Sequence, residues 1–138
     1  MKLGDEIDYI EIDVLEESKM PQNFGDIRVS VKVCMSGFFG EYDQVWIEAH
    51  GKNRFISALV NLEKTRNGSA NIESMSPNEF ILNISSIDSL GHMQADILLS
   101  KYSRTTNSGS NVISLTGDFE FDPGLLPGFT EEFSVYTN

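Results

Sequence analysis

Between Asp26 and Met35 apolar and polar residues alternate without a break. Ile27, Val29, Val31, Val33 and Met35 fall on one side, and Arg28, Ser30, Lys32 and Cys34 on the other. Successive side chains of a strand point to opposite faces, whereas a helix repeats about every 3.6 residues, so this stretch is a half-buried antiparallel strand. Its β-branched residues also suit a pleated, one-sided surface. The same period recurs along most of the chain. Ile7–Leu15 sets Ile10, Ile12 and Val14 against Glu11 and Asp13, and Tyr42–Ala49 sets Val45 and Ile47 against Gln44, Trp46 and Glu48. Glu79–Ser85 alternates through Phe80, Leu82 and Ile84, Gly91–Lys101 through Met93, Ala95, Ile97 and Leu99, and Asn111–Phe121 through Ile113, Leu115, Phe119 and Phe121. Ser69–Met75 is a weaker strand. Turn-rich segments separate them: Ser18–Gly25, Ser76-Pro77-Asn78, Ser86–Gly91 and the polar loop Ser103–Ser110. Gly37 and Gly40 bracket Phe38-Phe39, which marks a bulge or tight bend.

The period changes once. In Asn53–Thr65, Phe55, Ile56, Leu59, Val60 and Leu62 recur at helical spacing. This predicts an amphipathic helix of about three turns, with Asn53 as its N-cap and Asn67-Gly68 as its stop. After Asp122-Pro123-Gly124 the tail carries Leu125, Leu126, Phe129 and Phe133, which predicts a short helix packing back on the sheet. We therefore expect a single α+β domain over 1–138, mostly antiparallel β-sheet, with about seven strands, one central amphipathic helix and a short C-terminal helical tail. The sheet is either curled over the helix or sandwich-like with the helix inserted.

Charge narrows the function classes. The chain has 138 residues and a formal net charge of −11. Residues 1–20 hold seven acids and two lysines, residues 118–138 hold five acids and no base, and the span between them is nearly balanced, with nine acids and eight bases. A nucleic-acid binder needs lysine and arginine to displace phosphate counterions, so nucleic acid is not an expected partner. Neither is an anionic membrane surface. Cys34 is the one cysteine, the first residues turn acidic where a signal peptide would be apolar, and no apolar run approaches the ~20 residues that span a bilayer. A cytoplasmic protein is the simplest expectation.

No reaction is legible. Ser86, Asp88, Ser89 and His92 contain the ingredients of a Ser/His/Asp set, yet without a Gly-x-Ser-x-Gly elbow they read better as a polar turn. His50, His92 and Cys34 lie too far apart for a recognisable zinc pattern, and the glycines at 37, 40 and 51 fit no phosphate-binding loop. No cofactor is expected. The most informative local feature is Asp118, Glu120 and Asp122. At a spacing of two they share one face of the last strand, roughly 7 Å apart, opposite Phe119 and Phe121. Glu131 and Glu132 add charge nearby. Such a row either receives a cation or basic partner, or is a solvated face that discourages edge-to-edge aggregation.

From about Arg28 onward the order of features resembles the WapI-type immunity proteins of bacterial polymorphic-toxin systems. The matching residues are the Val29, Val31, Val33 strand leading into Ser36-Gly37-Phe38-Phe39-Gly40, the helix positions Phe55, Leu59 and Leu62, and the Ala70, Ile72 strand. The Met75-Ser76-Pro77 turn, Phe80–Ile84, Gly91-His92, Leu115–Asp122 and Leu125-Leu126 complete the series. The chain departs from the family pattern at His50-Gly51-Lys52-Asn53, and at Pro127-Gly128, which interrupts the C-terminal helix. The resemblance implies a non-catalytic protein that binds and blocks its cognate toxin protein domain, often a nuclease acting inside the cell. On that reading Asp118, Glu120, Asp122, Glu131 and Glu132 contribute to the partner surface, since an acidic inhibitor is steered toward a basic nuclease. Two other classes stay open: a small-ligand or carbohydrate-binding β-module in which Tyr42 and Trp46 supply a stacking surface, and a hydrolase built on the Ser/His/Asp set.

Overall fold

In the computed structural model, which describes residues 1–103 and 111–138, eight strands form two four-stranded antiparallel sheets. The first holds β1 (Lys2–Gly4), β2 (Tyr9–Glu17), β3 (Ile27–Met35) and β4 (Phe38–Ile47) in chain order. The second holds β5 (Ser69–Glu73), β6 (Phe80–Ser86), β7 (Met93–Tyr102) and β8 (Val112–Phe121), again in order. A 17-residue helix, α1 (Ala49–Thr65), links the sheets, and α2 (Leu126–Ser134) follows the last strand. The α+β expectation holds in its sandwich-like form. Apart from Ser103, the polar loop read at Ser103–Ser110 lies outside the described residues.

The alternating apolar sets become the facing surfaces of the sandwich. Ile10, Ile12, Ile27, Val29, Val31, Val33, Val45 and Ile47 from one sheet are buried against Phe80, Leu82, Ile84, Met93, Ala95 and Ile97 from the other. β8 runs across the first sheet. A Cβ added at Gly117 would stand 3.1 Å from the Met35 side chain of β3, and one added at Gly40 of β4 would stand 3.1 Å from Leu115. At both glycines the sheets approach closely enough that a side chain would crowd the facing sheet. α1 packs on β5 and on α2, and α2 touches β1, so the helix pair closes the side between the two edge strands. Its interior is aromatic: Phe55 and Phe133 meet edge to face at 5.2 Å, with Phe129 5.5 Å from Phe133.

Several expectations need correction. Among the described residues there are eight strands where about seven were expected; the addition is β1, which pairs with β2 through only three residues and buries Leu3 alone. One apolar residue carries no period. β4 begins at Phe38 rather than Tyr42, since Ser36 (φ 50°) and Gly37 (φ 89°) both take positive φ and close a two-residue hairpin turn. The irregularity lies further on. Val29 pairs with Val45 but Val31 with Tyr42, so Asp43 and Gln44 together oppose Ser30 as a bulge.

The helix starts at Ala49, not Asn53. Its first free N–H is satisfied from a distance: Asp26 Oδ1 accepts from the Ala49 amide at 2.8 Å. Asn53 is inside the helix, and its side chain exchanges hydrogen bonds with the backbone of Asn138 at 3.2 and 3.3 Å. One turn in, Lys52 is fully buried, and its ammonium donates to the Gly25 carbonyl at 2.8 Å and to the Asn138 side chain. The helix ends at Thr65 as predicted, but its C-cap is Arg66 rather than Asn67-Gly68: Arg66 is left-handed (φ 56°) and its N–H returns to Leu62 O. Pro127-Gly128 does not interrupt α2. Pro127 sits in its first turn, where a missing N–H breaks no helical bond.

Candidate functional site

The two acid-rich ends of the sequence meet in space. Gly4 and Asp5, following β1, line a shallow cleft of about 270 Å³ together with His92, Glu120, Asp122 and Leu125. Gly4 (φ 116°) makes the turn possible: a Cβ there would stand 2.1 Å from the Asp8 carbonyl. Asp5 Oδ1 accepts from the amides of Ile7 and Asp8 at 2.8 and 2.9 Å, and these two backbone donors hold its carboxyl below the ordinary 3.8.

Asp118 and Glu120 are exposed on the outer face of β8, as their spacing predicts, with Phe119 and Phe121 buried behind them. Asp122 departs from the row. It caps the turn after β8, accepting from Gly124 N at 2.9 Å, so part of its role is local and structural. Glu131 and Glu132 are exposed on α2, and Glu132 lies 3.3 Å from the Met1 amino group. The five carboxylates therefore fall on two elements, β8 and α2.

The strand pairing supplies a member that sequence spacing does not reveal. Asp96 of β7 pairs with Asp118 in register, so two carboxylates stand side by side on the same face. Asp96 accepts from Gln94 Nε2 at 3.1 Å. A depression of about 270 Å³ runs between them, lined also by Ile81, Asn83, Leu98 and Thr116.

The other candidates sort by geometry. The Ser86 hydroxyl donates to the Asp88 carbonyl at 3.0 Å, while His92 Nδ1 contacts the Asp88 carboxylate, so hydroxyl and imidazole are not coupled to each other. The Asp88 contact lowers that carboxyl and raises His92 above 6.5, with the charge of Glu120 adding to the latter. His92 is thus the basic side chain that lines the acidic cleft. Tyr42 and Trp46 do not form one stacking surface. The bulge at Asp43 and Gln44 turns Tyr42 toward the core, in pair with inward-facing Val31, while Trp46 pairs with Arg28 on the outer face. Among the described residues no group of three His, Cys, Asp or Glu could hold a metal ion, and no helix is long and apolar enough to cross a membrane.

Exposed apolar residues gather elsewhere. Phe38 and Phe39 at the β3–β4 hairpin border a groove of about 420 Å³ that continues over Tyr42, Leu99, Ile113 and Leu115. Comparison with known proteins places the chain in no family: no family model, no curated protein and no solved structure matches it.

Proposed function

We propose that this chain is a non-catalytic, cytoplasmic immunity protein of the WapI type, which binds and neutralises a cognate toxin domain, a nuclease working inside the cell. The observation that carries the reading is the meeting of the two acidic ends, which turns a composition bias into a local field around Asp5, Glu120 and Asp122. A nuclease is basic where it grips phosphates, so such a field draws the two proteins together and lets the inhibitor occupy the substrate surface. The role asks for surface complementarity rather than a reactive group. The order of sequence features from Arg28 to Leu126 supports the same assignment: its Gly-Phe-x-Gly element runs from the Ser36-Gly37 turn of the β3–β4 hairpin into β4, and its Gly-His element, with Gly91 at φ 89°, immediately precedes β7.

The test is co-expression with the toxin domain encoded immediately upstream. Survival of the host and recovery of a one-to-one complex are expected. Killing at the rate seen without this chain, with no complex on purification, refutes the assignment.

A further inference from the structure

The two sheets treat charge on their outer faces differently. Across the first sheet one register row reads Lys2, Glu11, Lys32, Glu41, alternating in sign from edge to edge. Arg28 is likewise placed opposite Glu16, 3.1 Å from its carboxylate. This is how an exposed sheet face normally stays both soluble and stable. Three register rows on the outer face of the second sheet read Ser69, Ser85, Gln94, Glu120; Asn71, Asn83, Asp96, Asp118; and Glu73, Ile81, Leu98, Thr116. These positions carry four acids and no lysine or arginine. Asp96 faces Asp118 directly, an arrangement that costs a sheet stability. α1 packs on β5, whose Ala70 and Ile72 are buried, and its His50 and Arg54 border this face at the Asn71 and Glu73 end, while Asp118 is exposed and Asp96 half-buried further across.

We propose that the open face of the second sheet is the docking surface for a basic protein, with Asp96 and Asp118 receiving an arginine or lysine whose alkyl stem lies on Ile81 and Leu98. Charge complementarity selects the occupant. The carboxylate pair sits beside two half-buried aliphatic side chains across a shallow depression, matching a side chain that is apolar along its length and cationic at its tip. Arginine fits best, since its fork offers two donors to each carboxylate. The surrounding amides and hydroxyls of Asn71, Asn83, Gln94 and Thr116 form a polar rim able to donate and accept around that anchor. A nucleic acid would meet like charge at Asp96, Asp118 and Glu120.

The inference rests on the reading that the chain neutralises a basic toxin, and two probes separate the failures. The first is hexa-arginine peptide, added at low salt to the full ¹⁵N-labelled chain. Amide shifts should concentrate at Ile81, Asn83, Asp96, Leu98, Thr116 and Asp118, and D96N/D118N should weaken the peptide about tenfold. E41Q/D43N, which removes two exposed carboxylates from β4 of the first sheet, should leave it unchanged. Shifts centred on the Asp5 and Asp122 cleft or on α2, or persisting in D96N/D118N, overturn the docking face. The second probe is the upstream toxin domain, whose association rate should fall about tenfold with D96N/D118N. If hexa-arginine maps to the face while the toxin does not bind, the face stands and the toxin reading falls. If the toxin binds D96N/D118N as fast as the unaltered chain, the face falls and the toxin reading stands. Because both substitutions relieve repulsion, D96N/D118N should melt no lower than the unaltered protein, which excludes misfolding as the cause of lost binding.

Discussion

Phe133 anchors α2, and its removal measures how much of the fold depends on the tail. The side chain is fully buried, 5.2 Å edge to face from Phe55 of α1 and 5.5 Å from Phe129. Truncating a buried phenylalanine costs about 3–5 kcal/mol, from lost transfer energy and the cavity left behind. Unfolding 138 residues releases about 2.1 cal/mol/K per residue, near 290 cal/mol/K in all, so each kcal/mol lowers Tm by about 3–4 °C. Phe133→Ala should therefore melt roughly 10–17 °C below the unaltered chain, followed by circular dichroism at matched pH and salt. Val135→Ala, two residues on and 75% exposed, should stay within about 0.5 kcal/mol. A Phe55→Ala, Phe133→Ala cycle should show a coupling of about 0.5–1.5 kcal/mol from the ring pair. A fall of less than 3 °C for Phe133→Ala would mean that α2 is not docked in solution, and its two glutamates would then have no fixed position relative to β8.

Other outcomes follow from single groups. Burial holds Lys52 below its ordinary 10.5, partly offset by Glu17 and Asp26, so between its folded pKa and 10.5 the unfolded chain binds more protons and stability rises with pH. Lys52→Met should flatten that alkaline slope in urea titrations, and an unchanged slope would show that the ammonium is hydrated. The pair of His92, raised above 6.5, and Asp88, lowered below 3.8, stabilises the β6–β7 turn fully between those two values. Its contribution fades as pH rises through the folded pKa of His92, or falls through that of Asp88. In Asp88→Asn the imidazole should titrate closer to 6.5 by NMR, and a value unmoved from that of the unaltered chain would exclude the contact. Salt should act with opposite signs, raising Tm by screening a net charge of −11 while slowing toxin association; parallel effects would rule out electrostatic steering.

Most of the sandwich was legible because its strands bury one face each, and a half-buried strand writes that fact as period two. Ile27 to Met35 is the clearest instance, with every odd position buried. Legibility failed where partners lie far off in sequence. The cap of α1 comes from Asp26, and the anchor of its first turn is Lys52, a residue whose charge places it on the surface by composition alone. β1 was invisible because three residues with one buried leucine have no period, so only pairing with β2 defines it. The acidic row was half legible. Spacing placed Asp118 and Glu120 on one face, but Asp122 turned out to cap the next turn, and Asp96 entered through strand register.

That register gives the row its meaning. A run of acids on an edge strand protects equally well wherever its neighbours lie, so protection alone asks nothing of β7. It is met by β8 alone, and a lysine at position 96 would leave it intact while stabilising the sheet, as Lys32 does opposite Glu11 in the first sheet. The same fold thus alternates charge on one outer face and sets like against like on the other. The proposed basic partner would resolve the difference, because a cation between Asp96 and Asp118 would turn their repulsion into a shared attraction that exists only in the complex. The stability forgone by the free protein then becomes selectivity: a partner without a cation at that point gains nothing, and one with an acid there is repelled by two carboxylates at once.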